Sequence, residues 1–299
     1  MVIEHHRAND DNRQIEMLYT DLASNDFSTL FRMMQGMQGD PVHAYQSRYE
    51  NVFVHGCGTG FHQQLMANES LNLGFSATAM HYVSVKPMEI PEHLHAACAN
   101  PSCKNAFAEQ AARDWENILL ARAAELIPGG RFICLNFGID EKGRYLGNTG
   151  GKHMFDHFHK FWLALRDADA ITKEEYERAT FPQYYRTIEE FCLPFKNPDS
   201  AVSQAGLVLK SSYSKLTKCP YEAAFLDAGG KGGSMSNLNY AKTLIPTMRS
   251  WSETVFRTAL GGRSDADINR IVDEFYQAYI EEVAADPDGH AMDYVHIIL

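Results

Sequence analysis

The chain has 299 residues, 45% of them hydrophobic and 22% charged, the balance of a globular protein long enough to bury a substantial core. A net charge of −11 excludes a nucleic-acid binder, because phosphate contact needs a basic surface. No apolar run approaches the roughly eighteen residues of a membrane span, and MVIEHHRANDD has no signal-peptide core, so the sequence predicts a cytoplasmic location and no membrane partner.

The first fourteen residues read as the end of a helix. The stretch IEMLYTDLASNDFSTLF (15–31) then predicts a strand over 15–22 that finishes on the acid Asp21. Ser24, Asn25 and Asp26 supply turn and N-cap chemistry for the helix that follows. In open α/β sheets, ligands sit at the carboxyl ends of strands, where an acid typically holds the two hydroxyls of a ribose. Next come the strand NVFVHG (51–56), a glycine turn GCGTG, a short helix around 61–67 and an apolar strand LNLGFSATAM (71–80). The glycine turn invites a dinucleotide or S-adenosylmethionine (SAM) loop, but that reading requires an acid at the end of the following strand. Here the strand ends in Ser76 and Ala77, so the turn reads as a cofactor contact and a nicotinamide-dependent oxidoreductase is disfavoured.

From Asn105 to Leu126, residues Phe107, Ala111, Trp115, Ile118, Leu119 and Arg122 recur at helical spacing. LIPGG predicts a helix stop and turn, and RFICLNFG (131–138) the next strand. Alternation of strand and helix points to a parallel sheet with helices on both faces. Residues 151–195 are aromatic, histidine-rich and helical in pattern; 237–282 form a second helical block; GLVLKSSYSKL (206–216) and MDYVHIIL (292–299) read as strands. The expected architecture is an α/β sheet domain made of 1–150, 206–219 and 283–299, with a helical cap made of 151–205 and 220–282.

Chemical motifs are sparse. The six cysteines show no CxxC pair and no zinc spacing and read as reduced thiols. His153, Asp156 and His157 lie at helical spacing, and Glu92-His93-Leu94-His95 lies in a proline-flanked loop. Neither has a fourth ligand or an HExxH pattern, so both read as histidine-rich surfaces and no metal is expected. Serine-hydrolase chemistry lacks its GxSxG. Met154, Phe155, Phe158, Phe161 and Trp162 form a stripe that packs as core by default. Together with Thr78, His81, Tyr82, Met248 and Trp251 the stripe could instead wall a small apolar pocket above the sheet.

Six ordered motifs give the chain a resemblance: TDLASNDFSTLF (20–31), GTGFHQQL (58–65), FSATAMHYVS (75–84), QAARDWENILLARAAELIPGGRF (110–132), FPQYYRTIEEF (181–191) and MRSWSE (248–253). In them the chain resembles the SABATH family of SAM-dependent carboxyl methyltransferases, whose acceptors are small acids such as salicylate and jasmonate and, in some branches, purine nitrogens. The resemblance implies a class I methyltransferase, Rossmann-like sheet with a mostly helical cap, SAM as cofactor, a small carboxylic acid as acceptor, and a homodimer. It places Asp21 on the ribose-binding acid, Leu22 on an adenosine contact, and Gly60 and Phe61 where the family has a Ser-Phe pair at the adenine end. Thr78, His81 and Tyr82 fall on the segment facing the acceptor carboxylate, with Tyr82 where plant members usually carry tryptophan. Met154, Phe155, Met248 and Met292 match apolar acceptor walls. The positions at which some members hold magnesium fall on Glu177, Ala179 and Thr180, which again predicts no metal.

The family's first strand, its glycine-rich SAM motif and a carboxylate-binding glutamine all precede the strand at 15–22. The resemblance therefore implies that this sequence, as given, begins within the helix between the first two strands and is N-terminally truncated relative to the family. Two readings follow. One is a methyltransferase that works by positioning, with no catalytic acid or base, because a carboxylate is already ionised at neutral pH. The other is a catalytically inactive relative that keeps the fold and dimer contacts without SAM binding.

Overall fold

A computed structural model describes residues 2–9 and 11–299. Helix α1 (Val2–Ala8) leads to strand β1 (Ile15–Thr20). Helix α2 (Phe27–Met34) is capped by Asp26, whose Oδ1 accepts from the backbone N of Thr29 at 3.0 Å. A short helix α3 (Tyr45–Arg48) precedes strand β2 (Val52–Cys57), which pairs parallel with β1. Ile3, Met34, Tyr45 and Val52 close a small core beneath this unit.

Strand β3 (Leu71–Ala77) is followed by helix α4 (Pro101–Glu125) and strand β4 (Leu126–Ile139), and β3 pairs parallel with β4 as the sequence leads one to expect. Asn100 caps α4, accepting from the backbone N of Cys103 at 3.0 Å. All six positions expected on its inner face are buried. The cap region then supplies helices α5 (Met154–Asp167) and α6 (Lys173–Arg178), the two-residue strand β5 (Arg186–Thr187), and helices α7 (Ile188–Lys196) and α8 (Ala201–Gln204). Strand β6 (Tyr213–Thr217), helices α9 (Pro220–Asp227), α10 (Asn237–Ala259) and α11 (Asp265–Ala285) and strand β7 (Tyr294–Ile298) complete the chain. The main sheet runs β3-β4-β7-β6, with β5 parallel to the end of β4 and the β4-β7 and β7-β6 pairs antiparallel. Strands β1 and β2 form a separate two-stranded sheet.

Helices α5, α10 and α11 bury one aromatic core, in which the rings of Phe158, Trp162 and Phe275 surround Phe256 at 5.9, 4.9 and 4.3 Å. Helices α7 and α8, inside the span expected as cap, pack instead on α4 and the sheet through Phe191, Val202, Trp115 and Ile297. Among the described residues no helix is long and apolar enough to cross a membrane.

Three expected elements differ. No helix forms at 61–67, because the polar backbone groups there find partners on α4 instead of on one another. LIPGG does not break out as a turn: it belongs to β4, with Gly129 at φ 82° and a register shift opposite Leu71–Leu73. The strand expected at 206–216 is confined to Tyr213–Thr217, and Val208 is left exposed.

Candidate functional site

The carboxyl ends of β1 and β2 lie side by side because the two strands are parallel and in register, Thr20 opposite Cys57. Asp21 extends that ladder by one bond, its N donating to Cys57 O at 3.2 Å. Its carboxylate is exposed and accepts from the backbone N of Leu22 at 2.7 Å. The glycine turn after β2 presses on this corner. A Cβ on Gly58 would stand 3.2 Å from the Ala23 Cα, and one on Gly60 would stand 3.4 Å from the Leu22 side chain. Phe61 is half-buried against the core that contains Met80 and Trp115. The structure therefore brings Asp21, Leu22, Gly60 and Phe61 to one corner of the sheet.

The loop carrying Phe61 is held from below by a buried ion pair. Arg122 and Glu125, 4% and 1% exposed at their side chains, stand 2.7 Å apart. Arg122 donates to the carbonyls of Phe61 and Gln63, and Glu125 accepts from the backbone N of Leu65 and Met66. Arg122 was expected only as one position on a helix face, and Glu125 was not singled out. An i,i+3 pair on an otherwise apolar helix face was the signal that could have found them.

The second group lies beyond β3. Thr78 leaves the strand at φ 53°, a left-handed conformation that costs a β-branched residue about 1–3 kcal/mol, and its N donates to Leu135 O at 2.8 Å. The segment after it is clamped at several points. Arg186 donates to Met80 O at 2.6 Å, Tyr184 N donates to His81 O at 2.8 Å, and Asp114 accepts from Ser84 N at 2.7 Å and from Ser84 Oγ at 2.6 Å. Around His81 the rings of Tyr82, Phe137 and Tyr185 stand 4.5, 5.1 and 5.8 Å away, and Tyr185 in turn lies 4.9 Å from His95.

Several buried polar atoms in this group make no hydrogen bond of normal geometry: Nδ1 of His81, Nε2 of His95, Oε1 of Gln183, the Tyr185 hydroxyl and the Asn136 amide, although Asn136 lies near enough to His81, and Gln183 near enough to His95, to interact. Burial without partners normally costs each such group about 1–3 kcal/mol, so a cluster of them marks a place where an absent polar group would fit. A cavity of about 30 Å³ opens beside them, lined in part by Ala96, Tyr145, Tyr184 and Tyr185, with Lys104 at its edge. That volume takes a water-sized group and nothing larger unless side chains move.

The apolar residues expected as acceptor walls sit differently. Met154, Phe155, Met248 and Met292 are all buried in the cap core. Of these, Phe155 reaches the polar cluster, stacked on His95 at 3.9 Å. Trp251 is half-buried and packs on Phe158 and Phe181, at 6.1 and 6.0 Å, away from His81. His95, Gln183, Tyr185 and Asn136 were not expected in the site. Gln183 and Tyr185 stood in the FPQYYR motif, and His95 in a histidine-rich loop, but their convergence required the fold.

Burial pulls His81 down to about 3 and His95 well below the ordinary histidine value, with the charge of Arg186 adding to the effect on His81. Burial likewise pushes the Tyr185 hydroxyl far up. All three are neutral at pH 7 and offer dipoles, not charges. Because the folded values of both histidines lie below their unfolded value, the unfolded chain binds more protons between them, and stability falls as pH drops below about 6.5. Each histidine should contribute a slope of about 1.4 kcal/mol per pH unit in that window. Urea unfolding between pH 7 and 5 checks this: His81→Gln should flatten the acid limb, and an unchanged slope would show that His81 is not buried neutral.

A family profile described as "SAM dependent carboxyl methyltransferase" matches residues 1–299. Gibberellic acid methyltransferase 1 of Arabidopsis thaliana is 26% identical over 190 residues, 59% of this chain and 49% of that protein. Probable 7-methylxanthine methyltransferase 3 of Theobroma cacao is 29% identical over 133 residues, 41% of this chain and 34% of that protein. The chain thus spans about half or less of the length of these curated relatives. Among solved structures, a loganic acid methyltransferase with SAH superposes with a TM-score of 0.67 at 16% identity, covering 98% of this chain and 76% of that one, which supports the class I methyltransferase fold.

Proposed function

This chain belongs to the SAM-dependent carboxyl methyltransferase family, and from that premise we propose that it binds SAM at the corner formed by Asp21, Leu22, Gly60 and Phe61 and methylates the carboxylate of a small acid. The observation that carries the acceptor half is the cluster of buried, unpartnered polar atoms on His81, His95, Gln183 and Tyr185. The neutral donors among them, the Tyr185 hydroxyl and an imidazole N–H, can hold a carboxylate without lowering its nucleophilicity as a buried cation would, whereas Gln183 Oε1 can only accept. The helical layer of α5, α10 and α11 serves as the cap over that site.

Bound SAM supplies a methyl group on a sulfonium, and transfer forms a bond from that methyl to a carboxylate oxygen while the S–CH3 bond breaks and a neutral thioether leaves. The carboxylate needs no general base. What remains for the chain's own residues is placement. Asp21 fits the two hydroxyls of a ribose, and the rigid glycine turn at 58–60 lets Phe61 close over a flat ring. Arg186 and Asp114 fix the segment that carries His81, and the surrounding rings exclude water. A homodimer remains part of the proposal, to be read by light scattering on the purified chain.

The test is calorimetric titration of the chain with SAM, followed by methyl transfer to a panel of small carboxylic acids. Asp21→Asn weakens hydrogen bonds to a charged acceptor worth about 1.5–3 kcal/mol each, so SAM affinity should fall roughly 10- to 100-fold. The side chain is exposed and caps nothing but its neighbour's N–H, so thermal unfolding should hardly move. Unchanged affinity in Asp21→Asn would remove the carboxylate from the site.

A further inference from the structure

Two histidine-rich stretches, the loop at 92–98 and the start of α5, meet in the fold, and beyond His95 and Phe155 their polar side chains have no part in the proposed methyl transfer. We propose that His93, Cys98, His153 and Asp156 form a binding site for a borderline-soft divalent cation of the Zn2+ class. His93 Nε2 lies 3.2 Å from Asp156 Oδ1, and His153 Nδ1 lies 3.4 Å from the same oxygen. Cys98 Sγ is 3.8 Å from each ring nitrogen of His153. One donor atom each from His93, Cys98 and Asp156 falls within 4.8 Å of the others. A tetrahedral ion with ligand bonds of about 2.0–2.3 Å has edges of about 3.3–3.8 Å; the His93–Asp156, His153–Asp156 and Cys98–His153 separations match that size, and the wider ones among His93, Cys98 and Asp156, up to 4.8 Å, close by about 1 Å on binding.

The donor set fits in kind as well as in distance. Two neutral imidazoles, one thiolate and one carboxylate around a divalent ion give no net charge, which suits a half-buried position. His153 Nε2 lies 2.8 Å from the Tyr145 hydroxyl. With Nε2–H donating to that oxygen, the Nδ1 lone pair accepts the long N-cap bond of α5 from Asp156 N at 3.4 Å, which a metal bond would replace while Tyr145 keeps holding Nε2. His93 Nδ1 accepts from the backbone N of His95 at 3.2 Å, so in the metal-free protein the proton sits on Nε2 and points at the Asp156 carboxylate. Ligation through Nε2 moves that proton to Nδ1 and requires the ring to turn away from the His95 N–H, so the bonds to Asp156 and from His95 N are both given up for the metal–imidazole bond. At Cys98 the S–H bond breaks, the sulfur–metal bond forms, and the proton leaves to solvent. The Asp156 side chain is 63% exposed and gives the ion its way in. Tyr145 also lines the small cavity beside Tyr185, so an ion here would tie the loop to α5 at the border of the proposed acceptor site.

The expectation of no metal rested on the lack of a fourth ligand within either stretch; each half supplies what the other lacks. The site does not depend on the methyltransferase reading. Titrating the chain with Co2+ should give a thiolate-to-cobalt charge-transfer band saturating at one equivalent, which Zn2+ abolishes, and Zn2+ should raise the thermal unfolding midpoint. Cys98→Ser should lose the band. Asp156→Asn, altering an exposed side chain, should fold normally and bind at least about tenfold more weakly. No band in the unmodified chain overturns the proposal. So does a band that survives in Cys98→Ser, which would assign another thiol, or binding without a band, which would point to a thiol-free pair such as His5 and His6.

Discussion

Glu125→Ala is expected to destabilise the protein by about 3–5 kcal/mol and to loosen the loop at 61–66 before the rest of the molecule opens. The substitution leaves the Arg122 guanidinium buried with no counter-charge, at a side-chain exposure of 4%. It also strips the backbone N–H groups of Leu65 and Met66 of their acceptor. Because that loop has no helix of its own, it has little to fall back on beyond the Gln64 side-chain bond to Met66 O and the turn bond from Gln63 N to Gly60 O. Urea denaturation reads the stability, and limited proteolysis within 61–66 reads the loop. Replacing both partners together, Arg122→Met with Glu125→Leu, should cost less than Glu125→Ala alone, since no unpaired charge remains buried. SAM affinity should fall in both cases, because Phe61 loses its support. A double variant worse than the single one would show that the pair contributes attraction rather than merely avoiding a buried charge.

Arg186→Ala is the second large effect. Arg186 is 2% exposed, and its guanidinium lies over the rings of Trp115 and Phe191 at 6.0 and 5.5 Å. It donates to the carbonyls of Met80 and Ala111, and although burial lowers it to about 10 it stays protonated at neutral pH. Truncation removes that packing, for about 2–5 kcal/mol, and leaves the Met80 carbonyl unsatisfied. Arg186→Met restores most of the volume and should cost only about 1–3 kcal/mol, the share of the lost hydrogen bonds. Acceptor turnover should fall by a larger factor than SAM affinity in both variants, because Met80 immediately precedes His81, whereas the SAM corner is reached only through the packing of Phe61 on the Met80 core. Equal damage from Met and Ala would place the whole effect in the hydrogen bonds, and a loss of SAM affinity equal to the loss of turnover would undo the division of the site into two halves.

Local pattern carried the elements whose stability is local. The strand that ends at Thr20, just before Asp21, the helix capped by Asp26, the buried face of α4 and the parallel pairing of β3 with β4 all follow from short-range periodicity and cap chemistry. Ordered motifs carried the family. Local pattern misled where long-range partners outbid local ones. The segment 61–67 scans as a helix, yet its backbone groups are satisfied by an arginine and a glutamate some sixty residues away.

The same physics decided the sites. Asp21 was legible from its place at a strand end, and Leu22, Gly60 and Phe61 from the ordered motifs of the family; the register of the parallel pair then puts the turn after β2 beside Asp21. The polar group of His81, His95, Gln183 and Tyr185, and the meeting of His93 and Cys98 with His153 and Asp156, join segments dozens of residues apart that share no period. A sequence displays what a residue is and what lies within a few turns of it. Only packing brings distant donors within bonding distance, and only burial decides which of them go without a partner.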